Sequence, residues 1–170
     1  MRRRAVLATL GTGVFAGCSS INALGGPSFE KAPADAVTNP KELHRGDENK
    51  SGSSAKITLE KEQYFASGFA WPDPFRFRVT GQVMENGPVD IYLMSNDRYN
   101  NYQKQPQLIN AVVEAEGLDS IDIEENIDPG QYQLVIDNTN LGGVEPSGTA
   151  VVQFRAEVLG QGTPTPTPQQ

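Results

Sequence analysis

Six stretches between Ala55 and Gly160 alternate apolar and polar residues, and this period of two constrains the fold more than any other feature of the chain. They are Ile57-Thr58-Leu59-Glu60, Phe75-Arg76-Phe77-Arg78-Val79, Val89-Asp90-Ile91-Tyr92-Leu93, Ile121-Asp122-Ile123-Glu124, Tyr132-Gln133-Leu134-Val135-Ile136 and the longer run from Ala150 to Val158. Successive side chains of a strand point to opposite faces, so alternation predicts strands with one face on a core and one in water. Turn-forming residues fall between them: Trp71-Pro72-Asp73-Pro74, Asn86-Gly87-Pro88, Asp128-Pro129-Gly130 and Asn140-Leu141-Gly142-Gly143. Short strands with such punctuation predict an all-β fold, an antiparallel β-sandwich or jelly roll. The segment Gln107–Gly117 fits helix or strand, and its β-branched Ile109, Val112 and Val113 favour strand. No segment reads as a clear helix.

That domain has to stand on its core alone. Cys18 is the only cysteine of 170 residues, which excludes an intrachain disulfide and a cysteine-based zinc site. His44 is the only histidine, and it lies in the polar stretch Lys41–Lys50, where it reads as a solvated linker residue. Ser-His-Asp, Cys-His and multi-histidine metal chemistry lose their central groups. Acids outnumber Lys plus Arg by 21 to 14, a net charge of -7. Phosphate binding needs clustered cations, so nucleic acid is not an expected partner. Self-repulsion keeps such a chain in solution and suits a high-salt habitat.

The first 18 residues, MRRRAVLATLGTGVFAGC, place three arginines before an apolar run from Ala5 to Ala16. Twelve residues make roughly 18 Å of helix, short of a hydrocarbon core of about 30 Å, so the run is an export signal rather than a span. Arg3-Arg4-Ala5-Val6-Leu7 resembles a twin-arginine export motif. Phe15-Ala16-Gly17-Cys18 resembles the lipobox of prokaryotic lipoproteins; Ala16, Gly17 and Cys18 match, while Phe15 stands where that family prefers Leu. The resemblance, which with the acidic balance points to haloarchaeal lipoproteins, implies cleavage before Cys18 and lipidation of its thiol. Loss of residues 1–17, which hold three arginines and no acid, takes the net charge from -7 to -10. The expected location is the extracytoplasmic face of the cell membrane.

From Ser19 to Ser54 no period is sustained, and Phe29, Val37 and Leu43 stand alone among polar residues. The stretch is expected to be a disordered tether, reaching about 30 Å. Asn49-Lys50-Ser51 fits the N-glycosylation sequon. The end, TPTPTPQQ from Thr163, reads as an extended, disordered tail. The expected division is thus a signal at 1–17, a lipidated N-terminus and linker at 18–54, a β-sandwich at 55–160 and a Thr/Pro-rich tail at 161–170.

The block from Asp128 to Asn138 joins a Gly-containing turn, an aromatic at the strand start, an apolar run and a terminal Asp-Asn. With Val89–Leu93 and Tyr99/Tyr102, it resembles the pre-peptidase C-terminal type of surface β-sandwich. The resemblance spans about residues 55–160 and implies an accessory module; some members of such families bind calcium or polymeric ligands.

Three aromatics are candidates for ligand contact: Trp71 in its Pro-rich turn, and Tyr99 and Tyr102 in the Tyr/Asn-rich stretch Ser95–Gln103. The plainer reading, and the preferred one, has all three closing over the core. Asp90, Asp97, Asp119, Asp128 and Asp137 offer nominal carboxylate pairs for hydrolysis, yet most read as turn or solvated residues. Asp119, Asp122, Glu124, Glu125 and Asp128 carry enough oxygen for calcium, without an EF-type spacing. No cofactor is expected. The sequence therefore points to a non-enzymatic surface lipoprotein displaying a β-sandwich for envelope interaction, adhesion or ligand capture. Its expected partners are the membrane, through the lipid, and an envelope protein or glycan. The alternative is a carbohydrate- or calcium-binding module serving a partner enzyme, with a small hydrolase third.

Overall fold

The structure, a computed structural model, describes residues 29–105, 110–143 and 145–160. Two five-stranded sheets face one another. The front sheet holds, in spatial order, β1 (Glu30–Lys31), β4 (Gln63–Trp71), β9 (Gly130–Asn138), β6 (Val89–Ser95) and β7 (Val113–Leu118). The back sheet holds β2 (Val37–Leu43), β3 (Lys50–Leu59), β10 (Ala150–Gly160), β5 (Phe75–Glu85) and β8 (Ser120–Ile127). All pairs are antiparallel except β1 with β4. This is an all-β sandwich. Among the described residues no helix is long and apolar enough to cross a membrane.

The alternating runs place their apolar members between the sheets. Ile57 and Leu59 of β3, Phe75, Phe77 and Val79 of β5, and Val152 of β10 meet Ile91 and Leu93 of β6 and Leu134 and Ile136 of β9, all at most 3% exposed. Each such side chain contributes roughly 1.5–3 kcal/mol by leaving water. Phe69 of β4 sits among Phe75, Phe77 and Tyr132, with ring centroids 5.7–5.9 Å apart. The turn entering β9 is tied down by Tyr132, whose hydroxyl donates to the Asp128 carbonyl at 3.0 Å.

Three expectations require correction. The folded domain begins well before Ala55, since β1, β2 and the first half of β3 lie in the stretch read as a tether. An edge strand such as β2 is held by its main-chain ladder to β3, so it needs no apolar alternation and leaves no periodic signal. The stretch Ser95–Gln103 is largely a helix, α1 (Asn96–Lys104), with Asp97 in its first turn and Lys104 in its last, each complementing the helix dipole. Strands β6 and β9 are buried on both faces rather than one. The cause is α1, whose Tyr99 and Tyr102, three apart, cover Tyr64, Tyr92, Met94 and Val135 on the outer face of the front sheet. The strand expected within 107–117 is present as β7 from Val113, whereas 106–109 lie outside the described residues.

Candidate functional site

The inward positions of the sandwich change character toward the end where β4 finishes and β3 starts. Ala55, Ile57 and Leu59 fill the core from β3, but Ser51 and Ser53 occupy the same face one and two steps earlier. Ser67 does likewise on β4, between inward Phe65 and Phe69. Small polar residues at core-facing positions leave a small cleft of about 20 Å³, open in part to solvent. Its apolar wall includes Phe69, Trp71, Phe77, Leu134, Phe154 and Val158. Close approach of β3 to β10 requires Gly52, where a Cβ would lie 2.7 Å from the Ala156 carbonyl oxygen.

Glu157 borders this cleft, yet alternation along β10 turns its carboxylate to the outer face, beside Arg155. Arg155 Nη2 lies 2.7 Å and His44 Nε2 2.5 Å from Glu157 Oε1. Arg155 above all, and then His44, hold the Glu157 carboxyl down to about 2. His44 is therefore not a solvated linker residue; it fastens the end of β2 onto β10.

A second cluster lies on the outer face of the front sheet. Asp90 of β6 and Asp137 of β9 stand opposite one another in the ladder, 2% and 0% exposed. Gly117 N–H donates to Asp90 Oδ1 at 2.7 Å, and the Tyr102 hydroxyl donates to Asp137 Oδ2 at 2.8 Å. The Tyr92 hydroxyl lies 3.0 Å from Glu116 Oε1 and 3.4 Å from Asp90 Oδ2. Burial pushes the Asp137 carboxyl up to about 7; Tyr102 and Thr139 oppose that rise, and the charge of Asp90 adds to it. Burial raises Asp90 too, against the Gly117 bond. Asp137 Oδ1 has no well-formed hydrogen bond, as suits a carboxyl that keeps its proton near neutrality. Next along β9, Asn138 Nδ2 reaches the carbonyls of Leu59, Glu60 and Gly148 at 2.9–3.0 Å, pinning the connection between the sheets.

Of the candidate residues, Arg3, Arg4 and Cys18 lie outside the described residues. Asn49 is exposed in the turn between β2 and β3, its N–H bonded to Asp47 Oδ1 at 2.9 Å and its carbonyl accepting from Gly160 at 2.7 Å. Trp71 is half-buried, packs on the core and walls the cleft. Tyr99 and Tyr102 are only 8% and 1% exposed, on the opposite face of the sheet from Trp71, so the three form no common surface and the tyrosines offer no contact area. Asp97, Asp119 and Asp128 are exposed as expected, whereas Asp90 and Asp137 are not. Their signal was an acid interrupting an otherwise apolar strand. On β8, Glu124 pairs with Arg76 and Arg78 of β5 at 3.2 and 3.7 Å. Among the described residues no group of three or more His, Cys, Asp or Glu converges as a metal site. The cleft leaves no signal in the sequence, because β4, which forms one of its walls, lacks polar alternation.

No family model matches the sequence, and no curated protein sequence matches it. Among solved structures, the chain is similar to the pre-peptidase C-terminal domain of a collagenase from Bacillus anthracis, at 11% identity and a TM-score of 0.41, over 62% of this chain and 88% of that one. The described residues are, on their own geometry, an all-β sandwich of two five-stranded sheets.

Proposed function

We propose that this protein is a non-enzymatic, lipid-anchored surface protein whose sandwich captures a ligand in the cleft between its sheets. The observation that carries the reading is the cleft itself, where inward serines leave apolar wall uncovered at one end of the domain. Its position supports display. The chain enters at β1, beside the start of β4, while the cleft lies toward the far end of β4, at Ser67–Trp71. With Cys18 as the attachment, the cleft is at the end away from the entering tether. The half-buried ring of Trp71 beside serine hydroxyls favours a carbohydrate as the captured group over a metal ion.

The test compares three forms of the full chain in its own envelope. Wild type is expected to carry an acylated Cys18 by intact mass and to retain an envelope glycan detectable by native mass spectrometry. Cys18→Ser is expected to be released from the membrane, and its retention there would refute the anchor. Ser51→Phe, which fills the cleft, is expected to stay anchored and lose the glycan. Equal glycan retention by Ser51→Phe would refute the cleft as the capture site.

A further inference from the structure

Alternation along the back sheet sends Phe75, Phe77 and Val79 of β5 into the core and turns Arg76 and Arg78 outward. The strand registers then line up residues that are far apart in sequence on that outer face. Lys41 of β2, Ser54 of β3, Arg155 of β10, Thr80 of β5 and Asp122 of β8 lie abreast. The row to one side holds Lys56, Gln153 and Gln82, and the row to the other holds Gly52, Glu157, Arg78 and Glu124. Beyond that come Lys50, Leu159, Arg76 and Asn126.

These four rows carry six cations, Lys41, Lys50, Lys56, Arg76, Arg78 and Arg155, against three acids, Asp122, Glu124 and Glu157, on a chain whose net charge is -7. The acids are outnumbered even within the pairs they form. Glu124 serves both Arg76, at 3.2 Å, and Arg78, at 3.7 Å, while Glu157 serves both Arg155 and His44. Lys41, Lys50 and Lys56 are exposed and form no ion pair among the described residues. The three arginine side chains are 45–50% exposed, so guanidinium donors face water. Beside them stand the exposed amides of Gln82 and Gln153 and the half-buried hydroxyls of Ser54 and Thr80.

We propose that this outer face of the back sheet binds an acidic polysaccharide, its guanidiniums taking the carboxylates of the sugar units and its amides and hydroxyls the sugar hydroxyls. A guanidinium meets a carboxylate with two parallel donors, which gives geometry as well as attraction. From β3 to β5 the face is two strand spacings wide, roughly 10 Å, which accommodates a sugar chain lying flat. No Phe, Tyr or Trp lies in the four rows, so nothing there stacks a nucleic-acid base. No exposed large apolar side chain lies there to enter a bilayer. The arginines do not line the cleft, so the two sites are separate. The acidic remainder of the chain repels a polyanion at a distance, but at physiological salt charges more than about 8 Å apart are largely screened. Direct contact between the face and the carboxylates therefore decides binding.

The test is binding of the full chain carrying Cys18→Ser to immobilised polygalacturonate at about 0.15 M salt, with dextran as the neutral control. Binding to polygalacturonate and not to dextran is expected. Arg76→Gln combined with Arg78→Gln is expected to weaken it about tenfold or more with unchanged thermal melting. Glu124→Gln, which releases both guanidiniums, is expected to tighten it, a gain that loss of folding cannot produce. Lys61→Gln, which removes a cation from the turn between β3 and β4, is expected to bind as the parent does. Phosphatidylglycerol vesicles are expected to bind more weakly than polygalacturonate. No binding to polygalacturonate, equal binding to dextran or stronger binding to the vesicles would overturn the proposal. Undiminished binding by the folded double variant, no gain with Glu124→Gln, or an equal loss with Lys61→Gln would overturn it too.

Discussion

Replacing Asp137 by Asn should make the domain's stability far less sensitive to pH between about 4 and 7. Asp137 is fully buried opposite Asp90, and burial raises its carboxyl to about 7, against about 3.9 in an unfolded chain. A group whose folded value is raised keeps in the folded state a proton that the unfolded chain releases. Its cost to folding is therefore absent below about pH 3.9, grows as pH rises, and levels off above about 7. Three units at about 1.4 kcal/mol each set an upper bound of about 4 kcal/mol by pH 8, of which about 1.5 is already present at pH 5. Local relaxation around the charge reduces the difference between those two pH values to about 2 kcal/mol. Asparagine preserves an acceptor for the Tyr102 hydroxyl and carries no charge at any of these pH values, and Asp90 remains in both proteins. Urea denaturation of both proteins from pH 4.5 to 8, followed by the fluorescence of Trp71, reads the difference directly. The mutant's advantage should grow by about 2 kcal/mol across that range. A difference that stays flat to within about 0.5 kcal/mol would refute the buried proton, and with it the account of the Asp90–Asp137 pair.

Three further perturbations address the other polar contacts. Tyr102→Phe removes the donor to Asp137 Oδ2 and should cost about 1 kcal/mol at pH 5 and measurably more at pH 8, again by urea denaturation, because the carboxyl rises further without it. Glu157 is held down to about 2, so its contribution is present above about pH 4.3 and lost as pH falls from there through 2. With Arg155 half-exposed and screened, Glu157→Gln should cost about 1–2 kcal/mol at pH 6 and nothing at pH 2, seen as converging acid melting curves. Asn138→Ala leaves three carbonyls without their donor and should destabilise by about 2–4 kcal/mol, read as a lower midpoint in urea with an unchanged slope.

Much of the strand framework was legible. The six alternating runs correspond to parts of β3, β5, β6, β8, β9 and β10, because each puts apolar side chains toward the opposite sheet. Strand β4 escaped notice because Tyr64, Ala66 and Gly68 on one face and Phe65, Ser67 and Phe69 on the other offer no polar alternation. Its outer face is not uniformly wet: Tyr64 and Ala66 are covered from α1. The cleft depends on which way Ser51, Ser53 and Ser67 point, and that follows only once the registers of β3 and β4 are known.

By itself the sequence determined the all-β class and the strand faces, since a period of two permits no other way to bury Ile57, Phe77, Ile91 or Leu134 together. The tertiary structure decided everything that joins residues distant along the chain. It recruited residues 30–43 to complete the sheets, coiled Asn96–Lys104 over β4, β6 and β9, set Asp90 against Asp137, and brought His44 to Glu157. Main-chain pairing is indifferent to side-chain type, and a helix this short is stabilised by the surface it covers. Local sequence therefore carried little trace of either.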